Sequence, residues 1–162
     1  MALASNSVRV ALMPGDGIGV EVTEATMGVL EKLARRHALG LRTETLQAGA
    51  FVYQATGTAM SEETFGRAES ADAILLGAMG WPGIRYPDGT EIAPQLDLRF
   101  RLGLYAGVRP IRAIPGVPLA LAHPRATEID FVVLRESTEG LFWSRGRGEV
   151  IEDREARDTM VI

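Results

Sequence analysis

"LMPGDGIGVEV", residues 12–22, sets three glycines and a carboxylate between an apolar run and a segment with helical spacing. The run that leads into it, "VRVALMP" (8–14), is short, β-branched and stopped by Pro14, which predicts a strand buried on both faces. A strand, a glycine turn and a helix in succession raise the question of a phosphate loop, and spacing tests it. A dinucleotide fingerprint needs G-x-G-x-x-G, whereas Gly15, Gly17 and Gly19 follow G-x-G-x-G. The G-x-x-x-x-G-K-[ST] loop needs a Lys and a hydroxyl that this stretch lacks. Taken alone, the residues read as a strand-to-helix turn with Asp16 at the positive end of the helix.

Outward from the turn, Val22, Ala25, Val29, Leu30 and Leu33 recur at helical spacing between Val20 and His37. "LRTETLQ" (41–47) alternates as a strand does, and Ser61 followed by Glu62 and Glu63 predicts a capped helix start. "ADAILLG" (71–77) reads as another buried strand, and "GAMGWPGIRYPDGT" (77–90) as a Gly- and Pro-rich loop of the kind that carries binding. "APQLDLRFRLGL" (93–104) reads as helix; "YAGVRPIR" (105–112) and "DFVVLRE" (130–136) read as strands. This alternation predicts an α/β fold with a largely parallel sheet. The final "TMVI" (159–162) is a strand-like stretch in want of a neighbour.

Composition narrows the function. A net charge of −4 argues against nucleic acid, and no apolar run is long enough to span a bilayer. There is no Cys, hence no disulfide framework or thiolate nucleophile, and the N-terminus does not read as a signal peptide. A reducing, cytoplasmic setting is expected. His37 and His123 stand far apart and read as surface or capping residues rather than metal ligands. Sixteen of the 17 basic residues are Arg, with Lys32 the exception. Codon bias accounts for that, or else some of the arginines grip planar carboxylates with their forked guanidinium groups.

Four motifs in order, "PGDGIGVEV" (14–22), "LLGAMGWP" (75–82), "LDLRFRLGLYAGVRP" (96–110) and "VLRESTEGLF" (133–142), resemble the β-decarboxylating dehydrogenases of isopropylmalate, isocitrate and tartrate. The resemblance implies the fold of that family, which is α/β and not Rossmann, here incomplete and with part of a dimerisation β arm. It implies that residues 1–103 open a discontinuous first domain and 104–162 the second, with residues 144–162 in the arm that joins a homodimer. The implied reaction oxidises a 3-substituted malate-type 2-hydroxy acid with NAD, or NADP, and removes its β-carboxylate with the aid of Mg or Mn. Arg99, Arg109 and Arg135 match the family's three substrate-gripping arginines. The stretch from Gly80 to Ile92 matches the loop along the nicotinamide, with Trp81 over the ring or, equally, in the core.

The chain also departs from the family. Phe142 stands where the family has a Tyr that gives up a proton, so no catalytic residue is assigned. Ile92 and Ala93 stand where isopropylmalate enzymes carry a Glu and isocitrate enzymes a Ser, seven and six positions ahead of Arg99. Gln95 replaces an apolar residue of the isopropylmalate pocket, which favours a smaller or more polar substituent. Val20 replaces the family's Pro at the start of the first helix. The proton-shuttling Lys, the metal-binding aspartates and the adenine loop have no match here, so the isolated chain is expected not to turn over. The alternative is a non-catalytic carboxylate-binding or oligomerisation module derived from the family.

Overall fold

The computed structural model describes residues 7–140, 142–143 and 148–160. β1 (Ser7–Met13) is the middle strand of a three-stranded parallel sheet, flanked by β2 (Gly40–Thr45) and β3 (Ala73–Leu76) in the order β2-β1-β3. β2 accompanies β1 from Ser7 to Leu12, whereas β3 pairs with it only from Val10 onward. That stagger corrects the expectation of a strand buried along its length. Ala11, Leu12 and Met13 are buried, while Val8 is 41 % exposed because no strand lies on its second side. β3 is an edge strand of this sheet, and Leu76 at its end is likewise exposed rather than buried.

α1 (Ile18–Arg36) joins β1 to β2 and presents a different face to the sheet from the one its apolar spacing suggests. Gly19 and Thr23 are buried, with Met27 and Leu30 partly so, while Val22, Val29 and Leu33 are exposed. Gly19 sets this roll: a Cβ there would lie 2.3 Å from the Pro14 carbonyl oxygen, so the helix lies against the turn that opens it. α2 (Ala50–Thr56) and α3 (Glu62–Glu69) follow β2. Ser61 caps α3 as its sequence predicts, accepting from the Thr64 amide at 3.1 Å. Arg67 of α3 is ion-paired with Glu44 of β2 and with Glu63.

The chain folds as two compact units, Met1–Leu98 and Arg99–Ile162, where the sequence placed the boundary between 103 and 104. α4 (Pro94–Arg101) runs through this boundary, and its Leu98 is buried. In the second unit β4 (Ala106–Arg112) pairs antiparallel with β5 (Asp130–Glu136) in a two-stranded ribbon. The connection between them contains a 3₁₀ turn at Pro124–Glu128, where the ring Nδ1 of His123 accepts from the Arg125 amide at 3.2 Å. His37 ends α1, its amide bonded to the Leu33 carbonyl. Both histidines are thus helix-end residues, as expected.

β6 (Glu149–Ile151) and β7 (Glu155–Arg157) form a small hairpin within the expected arm. Glu152 and Asp153 take positive φ at its tip, and the Arg154 amide closes the turn on the Ile151 carbonyl at 3.1 Å. Residues 144–147 of the arm, and Val161 and Ile162 of the terminal apolar stretch, lie outside the described residues; Thr159 and Met160 form no strand. No helix among the described residues is long and apolar enough to cross a membrane.

Candidate functional site

In the first unit, the glycine turn is built to bring backbone against backbone. A Cβ on Gly15 would lie 2.1 Å from the Ala78 carbonyl oxygen, and one on Gly77 would lie 2.0 Å from that of Pro14. Asp16 sits between these segments at 3 % exposure. Its Oδ2 accepts from the amides of Ala50 at 2.7 Å and Gly80 at 2.8 Å, and its Oδ1 from that of Phe51 at 3.0 Å. Its own amide donates to the Ala78 carbonyl at 2.7 Å. The carboxylate therefore caps α2 across 34 residues of chain and holds the next loop as well. Both oxygens are engaged by these amides and not by an amide of α1, the helix that follows Asp16 in sequence. The amides of Asp16, Gly19 and Val20 are all bonded within the protein, so these three donors are not offered to an anion.

The loop that begins at Gly80 is tied down at both ends. Gly80 takes φ 102°, and its amide is held by Asp16. Trp81 packs its ring beside Phe51, centroids 5.3 Å apart, and over Gly17, where a Cβ would lie 2.9 Å from the indole. The rest of that ring is open, leaving the residue 46 % exposed. Arg85 and Glu91 bridge a short antiparallel turn, inside which the Asp88 carboxylate accepts from Thr90. The Thr90 amide and hydroxyl together hold the Asp88 carboxyl below its ordinary range.

Ile92 is 1 % exposed and packs with Ala50 and Ala59. Its side chain belongs to the core. The Gly80 amide and the Ile92 side chain are thus both engaged within the first unit.

In the second unit the pairing register decides where two of the three arginines stand. Arg109 is opposite Val133 and Arg135 opposite Gly107, so Arg109 and Arg135 share one face of the ribbon as diagonal neighbours. Arg99 lies on α4, half-buried, and its carbonyl accepts from the Leu104 amide at 2.9 Å. No hydrogen bond joins it to either of the others. Among the described residues none of the three is ion-paired with a carboxylate. By contrast Arg112, on the opposite face of β4, is paired with Asp130 at 2.8 Å, and Arg125 with Glu128 at 3.1 Å. Among the described residues Arg9, Arg36, Arg42 and Arg154 also lack a carboxylate for the side chain, but they lie outside the four motifs.

The chain after Arg135 is locked by its own side chains. Glu136 accepts from the Thr138 hydroxyl at 2.6 Å and amide at 2.7 Å, and from the Glu139 amide at 2.6 Å. The Thr138 hydroxyl bond is the main cause that pulls the Glu136 carboxyl below its ordinary range; the amides of Glu139, Thr138 and Ser137 act in the same sense, and desolvation opposes them. Gly140 then takes φ 64° and the chain doubles back, the Phe142 amide bonding the Glu139 carbonyl at 3.2 Å. The Phe142 ring ends with its centroid 4.8 Å from Cζ of Arg135. Sequence assigned Glu136 no part and gave Asp16 to the first helix, whereas the Asp16 oxygens serve the start of α2 and the Gly80 loop.

Among the described residues no group of three or more His, Asp or Glu is placed to hold a metal. Gln95, on α4, has a buried side-chain oxygen without a hydrogen-bond partner.

Residues 9–162 match the family model described as isocitrate/isopropylmalate dehydrogenase. The tartrate dehydrogenase/decarboxylase of Pseudomonas putida is 40 % identical over 156 residues, which cover 94 % of this chain and 42 % of that protein. The 3-isopropylmalate dehydrogenase of Thermobifida fusca is 39 % identical over 145 residues, covering 89 % and 40 %. A solved β-decarboxylating dehydrogenase from Thermococcus kodakarensis superposes with a TM-score of 0.67 at 34 % identity, over 96 % of this chain and 40 % of its own. The chain thus spans about two fifths of the length of these relatives. Four motifs, a match from Arg9 onward and an α/β architecture shared with solved relatives agree: the chain belongs to the isocitrate/isopropylmalate dehydrogenase family.

Proposed function

We propose that this chain supplies the carboxylate-gripping part of an enzyme that oxidises a malate-type 2-hydroxy acid and releases its β-carboxylate as carbon dioxide. The observation that carries this reading is the state of the motif arginines. Arg109 and Arg135 share a ribbon face, and among the described residues neither they nor Arg99 is ion-paired with a carboxylate. A substrate with two carboxylates, one of which must leave, calls for several fixed cations, and guanidinium groups bind such anions through paired N–H donors.

NAD, or NADP, would accept the hydride and Mg or Mn would stabilise the charge on the keto oxygen, as family membership suggests. The described residues provide no ligand set for the metal, so no step is assigned through it. Phe142 has no proton to give the enolate left by decarboxylation. The 162 residues alone are accordingly proposed to bind substrate without sustained turnover, and to pair with a second copy through the arm at 144–162. The presence of Gln95 where isopropylmalate enzymes have an apolar residue supports a smaller or more polar substituent over an isopropyl group. A non-catalytic carboxylate-binding module is the second reading, favoured by the same Phe142.

Calorimetric titration of the 162-residue chain with malate, tartrate, isocitrate and 3-isopropylmalate tests the proposal. R109A and R135A are each expected to weaken the best dicarboxylate by about tenfold or more, the loss of a charge-assisted contact of roughly 1.5–3 kcal/mol. Unchanged affinity in both variants would remove the basis of the reading. Sustained NAD reduction by this chain in the presence of Mn would overturn the claim that it is catalytically incomplete.

A further inference from the structure

We infer that Phe142 is a positioning residue: its ring serves as the platform that holds the guanidinium of Arg135 in place to receive a carboxylate. The inference rests on the reading of Arg135 as a substrate grip and adds the means by which that grip is held. Arg135 is exposed on β5 and has no carboxylate partner among the described residues, so its long side chain would otherwise sample many rotamers at a cost to binding. The Phe142 ring lies within cation–π range of its Cζ, at 4.8 Å. Stacking occupies the flat of a guanidinium and leaves its N–H fork, which lies in the plane, free for an anion.

Two further features fit this arrangement. Glu136, Thr138, Glu139 and Gly140 form a tight turn whose consequence is to return the chain so that residue 142 reaches back to residue 135. Across the ribbon, Gly107 stands opposite Arg135, where a Cβ would come within 3.5 Å of the Arg135 Cβ and 3.2 Å of its carbonyl oxygen. With no side chain at 107, the stem of Arg135 is unobstructed on the side toward Arg109. An aromatic ring that cannot donate a proton still has work at position 142.

The test uses the full chain with malate as probe. F142L keeps apolar bulk and removes the π face, F142Y keeps the face, and R135A removes the cation. F142L is expected to weaken malate by about two- to fivefold, the range of a cation–π contact at an exposed site, while F142Y binds as the parent does. The Arg135 side-chain Nε–H resonance, displaced by the ring current in the parent, is expected to move toward its free-arginine position in F142L and to stay in F142Y. Amide spectra of β4 and β5 confirm that each variant is folded. If R135A weakens malate while F142L changes neither the affinity nor the Nε–H resonance, the platform is refuted and the carboxylate reading stands. If R135A itself leaves malate unaffected, the carboxylate reading fails first, and the Nε–H resonance still reports whether the stack exists.

Discussion

Replacing Asp16 with asparagine exchanges one of its two acceptor oxygens for an NH₂ group in a pocket of backbone donors. Both oxygens are in use, Oδ2 by Ala50 and Gly80 and Oδ1 by Phe51, so whichever way the amide turns, at least one of these N–H groups loses its acceptor. A hydrogen bond to a charged group is worth about 1.5–3 kcal/mol, and leaving a buried donor unpaired costs about 1–3 kcal/mol. D16N is therefore expected to destabilise the first unit by about 2–3 kcal/mol, with faster hydrogen exchange at Ala50, Phe51 and Gly80. Urea unfolding checks the first figure, and a loss below about 0.5 kcal/mol, the scatter of a surface substitution, would contradict the clamp. The sequence shows that Asp16 is acidic and that glycines surround it. It does not show which helix the carboxylate serves, because that helix begins 34 residues later. The same limit applies to Ile92, whose place in the loop motif is legible but whose burial is decided by Ala50 and Ala59.

At the scale of elements, whatever is capped and patterned locally is readable, and whatever is capped from afar is not. α3 carries its own Ser61 and an acidic first turn, and it lies within a residue or two of where those signals place it. α2 begins at Gly49 with no side-chain cap of its own, because Asp16 supplies the acceptor, and nothing in "AFVYQAT" announces a helix. The roll of α1 was hidden for a similar reason: its apolar residues form more than one stripe, and the close approach at Gly19 selects the face. The turn after β5 is a local device again and has a pH signature. Its Glu136 carboxyl is depressed in the folded chain, so its contribution is complete above the ordinary glutamate range and is lost as pH falls through the depressed value. Amide chemical shifts of Thr138 and Glu139 are expected to report a single titration with a midpoint below about 4.3, the ordinary value for glutamate. T138V, which removes the hydroxyl donor, should move that midpoint upward. A midpoint at or above the ordinary value in the parent would mean that the carboxylate does not hold the turn.

For the whole molecule the decisive contrast is in how the two units cover their apolar residues. The first has a core of Met13, Leu46, Phe65, Ile92 and their neighbours, whereas Ala126 is the one buried hydrophobic residue described in the second. The ribbon and the hairpin of the second unit are two-stranded, and such pairs are marginal in water without a further apolar surface to pack on. Leu134 on the ribbon is 73 % exposed and Val150 on the hairpin 72 %. This contrast was only partly legible beforehand: alternation places the strands, but whether a strand's apolar face is covered depends on partners that no local pattern names. Exposed apolar surface of this kind marks a place of association, and the proposal of a pairing arm at 144–162 assigns it to the hairpin. Sedimentation velocity over a range of concentrations is expected to show reversible dimerisation. V150E, which puts a charge on the hairpin's most exposed apolar position, should shift the chain toward monomer, whereas V29E on the exposed stripe of α1 should leave the dimer intact. A chain that stays monomeric throughout would refute the pairing, and a dimer indifferent to V150E but broken by V29E would place the contact on the first unit.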